Sequence, residues 1–141
     1  MKEKKINITV TDIVLLLITA AYLILLQTVF KECGPKDDGS FMACHWAGRA
    51  IFAFGIVLTV SSVAHTLLPS KDTKLGLSIS ILVTSIVAFF IPGTLIKICG
   101  METMKCHTHT KPANTVFAIL TAVAALADIV LYIINSRKTN K

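Results

Sequence analysis

Four apolar stretches organise the chain: Ile13–Phe30, Ala50–Leu68, Leu75–Ile96 and Ala113–Asn135. Each holds about 18–23 residues, close to the roughly 20 helical residues that cross a hydrocarbon core of about 30 Å. Lipid offers no hydrogen bonds to an open backbone, so stretches of this length are expected as transmembrane helices. The first is too long for the apolar region of a cleaved signal, and Lys31-Glu32-Cys33 after it makes no small-residue cleavage site. It is read as a retained helix.

Polar punctuation divides the four helices into two hairpins. Residues 1–68 read as helix, loop, helix, and residues 75–141 repeat the order. Pro69-Ser70-Lys71-Asp72-Thr73-Lys74 is the short turn between them, with Pro69 stopping the second helix. The expectation is one all-α domain over residues 1–141: a polytopic membrane protein of four transmembrane helices arranged as two repeated helical hairpins. Such a parallel repeat implies a pseudo-two-fold axis along the membrane normal, which brings the two hairpin loops together. Pro92-Gly93 either kinks or ends the third helix near its loop, and Pro112 sits in the favoured first turn of the fourth.

Composition agrees with lipid as the solvent. Of the 141 residues 54% are hydrophobic and 16% charged, against about 25% charged in soluble domains. The net charge of +6 does not imply nucleic acid, because the basic residues flank the apolar stretches rather than forming a basic face with interleaved aromatics. Eight of them (Lys2, Lys4, Lys5, Lys71, Lys74, Arg137, Lys138 and Lys141) lie on one side and six on the other. This bias places both termini in the cytoplasm and both hairpin loops outside the cell membrane.

The chemistry concentrates in those loops. Cys33-Gly34 is followed by Met42-Ala43-Cys44-His45, and Cys99-Gly100 by Met104-Lys105-Cys106-His107. All four cysteines and two of the four histidines fall in this doubled C-G…M-x-C-H pattern. Three readings follow. Pairing Cys33 with Cys44 and Cys99 with Cys106 would staple each loop, in the compartment where disulfides persist. Cross-pairing of the loops, for instance Cys44 with Cys106, is the other connectivity. A staple does not account for the neighbouring Met42, His45, Met101, Met104, His107 and His109, whose soft and borderline donors suit copper or zinc. The third reading is thiol redox chemistry. The layout of four helices and two cysteine-bearing outer loops resembles the bacterial disulfide-bond formation membrane proteins that pass electrons to quinone. Those proteins use a C-x-x-C pair, which neither loop has.

Within the apolar stretches, Asp128 and His65 stand out. Ionisable groups at such depth mark a partner or a pathway. A His65–Asp128 pair between the second and fourth helices is one expectation. The other is that Asp12 caps the first helix after Thr11 and that Asp128 is neutral or hydrogen-bonded to a hydroxyl such as Ser61, Ser62 or Thr66.

The C-G…M-x-C-H-W pattern, most specifically Met42-Ala43-Cys44-His45-Trp46, with four helices, resembles an uncharacterised family of small bacterial and archaeal membrane proteins catalogued as a domain of unknown function. The resemblance implies fold and membrane location and no activity. No nucleophile–base pair, phosphate loop or carboxylate dyad points to an enzyme. The expected role is binding: an accessory subunit that meets a protein partner or another copy through its outer face, within the bilayer and without nucleic acid.

Overall fold

In a computed structural model the chain forms four helices: α1 (Val10–Thr28), α2 (Ala43–Leu67), α3 (Lys71–Phe90) and α4 (Lys111–Thr139). The structure describes residues 9–28, 35, 37–41, 43–97 and 106–139. Among these, all four helices are long and apolar enough to cross a membrane. At 1.5 Å per residue, the 19 residues of α1 span about 28 Å. Each helix packs on the next, and α4 closes the ring against α1.

Helix boundaries follow local chemistry. Thr9 precedes α1, and Asp12, at the third helical position, accepts the Thr9 backbone N–H at 2.9 Å, satisfying one of the donors a helix start leaves open. Ser70, in extended backbone, is the N-cap of α3, and Asp72 complements the dipole of its first turn. The turn between α2 and α3 is therefore only residues 68–70, half the length that hydropathy suggests. At its far end α3 stops at Phe90, just before Pro92. The chain turns over Pro92-Gly93, where Gly93 takes φ 101° and its N–H donates to Ile96 O at 3.0 Å. A side chain would strain that backbone.

α2 begins at Ala43, seven residues before its apolar stretch. Three of the four residues in the first M-x-C-H copy, Ala43, Cys44 and His45, are thus helical rather than loop. In the second copy, Cys106–Thr110 form one π-helical turn leading into α4.

The starts of α1 and α3 meet the late turns of α2 and α4 at one end, called here the near end. The far end holds the starts of α2 and α4. Leu15, Leu58, Ile81 and Ala125 form a buried cluster nearer the first, while Tyr22, Ile51 and Ile91 form a second, backed by Phe54 and Phe117. Buried hydroxyls line the seams between helices. Thr19, Ser62 and Thr121 each return a hydrogen bond to the carbonyl four residues earlier, at 2.8–2.9 Å. Small polar residues can then sit at helix contacts in lipid without an unmet donor. The outer surface carries large apolar side chains such as Leu17, Val57, Val60, Val83 and Val123, as a lipid-facing surface requires.

One polar link holds the far half. Buried Asn114 on α4 donates from Nδ2 to Ala88 O of α3 at 2.8 Å and accepts the Tyr22 hydroxyl of α1. Asn114→Leu would strand both partners in an apolar setting. It is expected to lower unfolding free energy by about 1–3 kcal/mol, measured by reversible denaturation in mixed micelles. A change of only a few tenths would show that the link is incidental.

Candidate functional site: a buried charge cluster at the near end

Every helix sends a polar side chain to one point at the near end. α1 supplies Thr11 and Asp12, α2 His65, α3 Lys74 and Ser78, and α4 Asp128. Asp12 and His65 are each 1% exposed. The side chains of Asp128 and Lys74 are 15% and 14% exposed, so they form the rim.

The contacts are close and mostly directional. Lys74 Nζ donates to Asp12 Oδ2 at 2.6 Å. Ser78 Oγ donates to Asp128 Oδ2 at 2.6 Å, and Thr11 Oγ1 donates to Asp128 Oδ1 at 2.9 Å. His65 stands between the carboxylates. Its Nε2 is 2.9 Å from Ser78 Oγ and 3.1 Å from Asp128 Oδ2. Its Nδ1 is 3.1 Å from Asp12 Oδ1. That distance suits an ion pair, yet neither atom gains an aligned hydrogen bond, and both are enclosed.

The two readings of the intramembrane residues therefore coexist. Asp12 serves the start of α1 and also carries Lys74 and His65. Asp128 meets His65 and rests on hydroxyls as well, but these are Ser78 and Thr11. Ser62 and Thr66 turn back to their own helix, to Leu58 O and Ser62 O. Sequence reasoning did not single out Lys74, Ser78 or Thr11. A signal existed: Lys74 and Ser78 are four apart, so they share a face of α3, and Ser78 begins a serine series with Ser85 on the buried side.

Asp12, His65 and Asp128 bring three potential ligand atoms within 4.8 Å of one another. The arrangement does not favour a metal ion. Asp12 and Asp128 address opposite nitrogens of the ring, and the Lys74 ammonium already supplies a cation at Asp12. A groove of about 130 Å³ between α3 and α4, lined by Ser85, Phe89, Ala118 and Ala122 among others, carries none of these ionisable groups.

Of the doubled cysteine motif, Ala43–His45 at the start of α2 and the backbone of Cys106 just before α4 lie at the far end. Cys33, Met42, Cys99, Met101 and Met104 lie outside the described residues, as do the side chains of Cys106 and His107. Cys44 is buried in the first turn of α2. His45 stacks on Phe41 with ring centroids 4.3 Å apart, and Trp46 meets it edge-on at 5.8 Å. His109 is exposed on the π-helical turn. In the preceding loop, the Ser40 hydroxyl and backbone N–H both donate to exposed Asp38 and hold its carboxyl below the usual carboxylate range.

The family model for a domain of unknown function (DUF4418) matches residues 12–131, most of the chain, and the protein belongs to that family. No curated protein and no solved structure matches the chain.

Breaking one side of a buried ion pair leaves the other charge uncompensated. Asp12→Asn is therefore expected to cost about 3 kcal/mol of unfolding free energy. Adding Lys74→Met should recover at least about 1 kcal/mol, as coupled neighbours do in a double-mutant cycle. Strict additivity of the two changes would mean that the contact carries no energy.

Proposed function

We propose, for this member of a family whose activity is unassigned, that the chain is a non-catalytic subunit of a membrane assembly. It meets its partner through the far end. In this reading both termini are cytoplasmic, and the two hairpins, residues 1–68 and 75–141, are repeats within one domain. The far loops lie outside the cell membrane, stapled by Cys33–Cys44 and Cys99–Cys106.

The observation that carries the proposal is the aromatic group at the start of α2. Phe41 is 49% and Trp46 61% exposed, with His45 between them. Exposed aromatics on a firm base are what protein contacts favour. The base is firm because Cys44, Ala47 and Ile51 of α2 are buried, the last in a cluster with Tyr22 and Ile91. The near-end cluster, by contrast, is turned inward and engages its own side chains, which suits a structural lock better than a substrate site.

Copper or zinc binding by Met42, His45, Met101, Met104, His107 and His109 is the alternative use of the same face. The face-to-face packing of His45 on Phe41 favours the aromatic patch. Burial of Cys44 favours a staple over an exchanging thiol, since thiolate reactivity needs access and a polar setting.

A photo-crosslinking side chain in place of Trp46 or Phe41 is expected to join this chain to a second membrane protein in defined stoichiometry. The same side chain at the lipid-facing positions Val57 or Val123 should not. Equal yields at all four positions would show that Trp46 merely sits in the headgroup layer. Mass mapping of the cysteines under native redox conditions should find two intra-loop disulfides. Four reduced thiols with bound copper or zinc would replace the staple by the metal reading.

A further inference from the structure

We infer that Asp12, His65 and Asp128 form a proton-binding site, in which one proton on His65 closes the near end of the bundle. The inference is independent of what the far face binds.

Proton positions follow from the acceptors. A neutral imidazole has one N–H and one lone pair. Here each ring nitrogen faces a carboxylate oxygen at 3.1 Å. Ser78 has one hydroxyl hydrogen, for which Asp128 Oδ2 at 2.6 Å, Lys74 O at 3.0 Å and Nε2 at 2.9 Å compete, and the carboxylate is the nearest acceptor and the charged one. With the hydrogen on Asp128, the Ser78 oxygen accepts from the ring. Either neutral tautomer therefore points a lone pair at a carboxylate. The imidazolium presents positive charge to both carboxylates, with Nε2–H directed at Asp128 and Nδ1 at ion-pair distance from Asp12. Asp12 Oδ1 and His65 Nδ1 are enclosed 3.1 Å apart without an aligned hydrogen bond, so what joins them is charge, which a neutral ring does not carry.

Charge points the same way. The charged groups around His65 are Asp12 from α1, Lys74 from α3 and Asp128 from α4. The two carboxylates and one ammonium sum to −1, and a proton on His65 brings the group to neutrality. Lipid surroundings penalise a net buried charge heavily. Binding is simple in its chemistry: a proton from water adds to the ring lone pair, with no other bond broken. The route is on the Asp128 side, where the side chain is 15% exposed, whereas Asp12 is fully enclosed.

The proton has a structural consequence because the two carboxylates belong to different helices. With the proton bound, the charge on His65 holds Asp12 of α1 and Asp128 of α4 together. With it lost, both contacts lose that charge, and the remaining charge of −1 is unbalanced. A proton that binds the closed bundle better than the opened one must stabilise the closed one, by linkage. Stability is then highest on the acid side of His65 deprotonation and declines as pH rises through it.

The test uses the full chain in lipid nanodiscs with ¹⁵N-labelled histidine. As pH is raised over the range in which the chain stays folded, His65 should change from two protonated ring nitrogens to one. Over the same range the thermal midpoint should fall by about 4 °C. In His65→Gln, whose amide bridges carboxylates without taking a proton, that part of the fall should vanish. His45, His107 and His109 remain and supply the background. Should His65→Gln not fold, the wild-type nitrogen spectrum decides alone. A single neutral tautomer throughout the range would overturn the inference, and so would an unchanged pH profile in a folded His65→Gln. Stoichiometric zinc added at neutral pH and displacing both ring N–H signals would overturn it in favour of a cation site.

Discussion

Two carboxylates, an imidazole and an ammonium meet where lipid cannot hydrate them, and that requirement of mutual satisfaction shapes the near end. Asp12, His65, Lys74 and Asp128 come from four different helices. None can turn outward without leaving a neighbour's charge exposed to an apolar medium. Helix packing in lipid otherwise relies on surface fit, since apolar side chains gain little by leaving lipid for one another. A cluster with one correct geometry therefore does what a hydrophobic core cannot do here: it selects a register among helices whose apolar faces would tolerate several.

The remaining polar groups obey the same requirement by simpler means. Thr19, Ser62 and Thr121 bond back to their own helices, which lets them lie in the seams without a cross-helix partner. Asn114 spans α1, α3 and α4 at the other end. The bundle is thus pinned at both ends, by charge at one and by neutral amide and phenol at the other. Between them lies a layer of Leu15, Leu58, Ile81 and Ala125. Such a scaffold holds Phe41, His45 and Trp46 at a fixed place on the far face.

Much of this was readable from residue order. Helix number, the halt of α2 before Pro69 and the end of α3 before Pro92 follow from apolar length and two prolines. His65 and Asp128 were visible as ionisable groups at depth. Their full set of partners was not, because hydropathy reads Lys74 as a flanking charge that governs orientation. In the folded chain its ammonium bends inward to Asp12, a choice made by three-dimensional proximity across 62 residues. Asn114 was hidden for a similar reason: one amide in an apolar stretch says nothing of which carbonyl it will find. The early start of α2 escaped notice because hydropathy marks where a helix enters lipid, while the helix itself begins about two turns sooner.

The charge cluster fixes the near end, so the spacing of α2 and α4 there depends on it. Spin labels at Leu67 on α2 and Ile133 on α4, both exposed there, report the separation of those helices directly. A single narrow distance distribution is expected in the otherwise wild-type chain. A broadened or shifted one is expected when Asp12→Asn and Asp128→Asn are combined. Identical narrow distributions in the two proteins would contradict it, and would assign the near end to apolar packing alone.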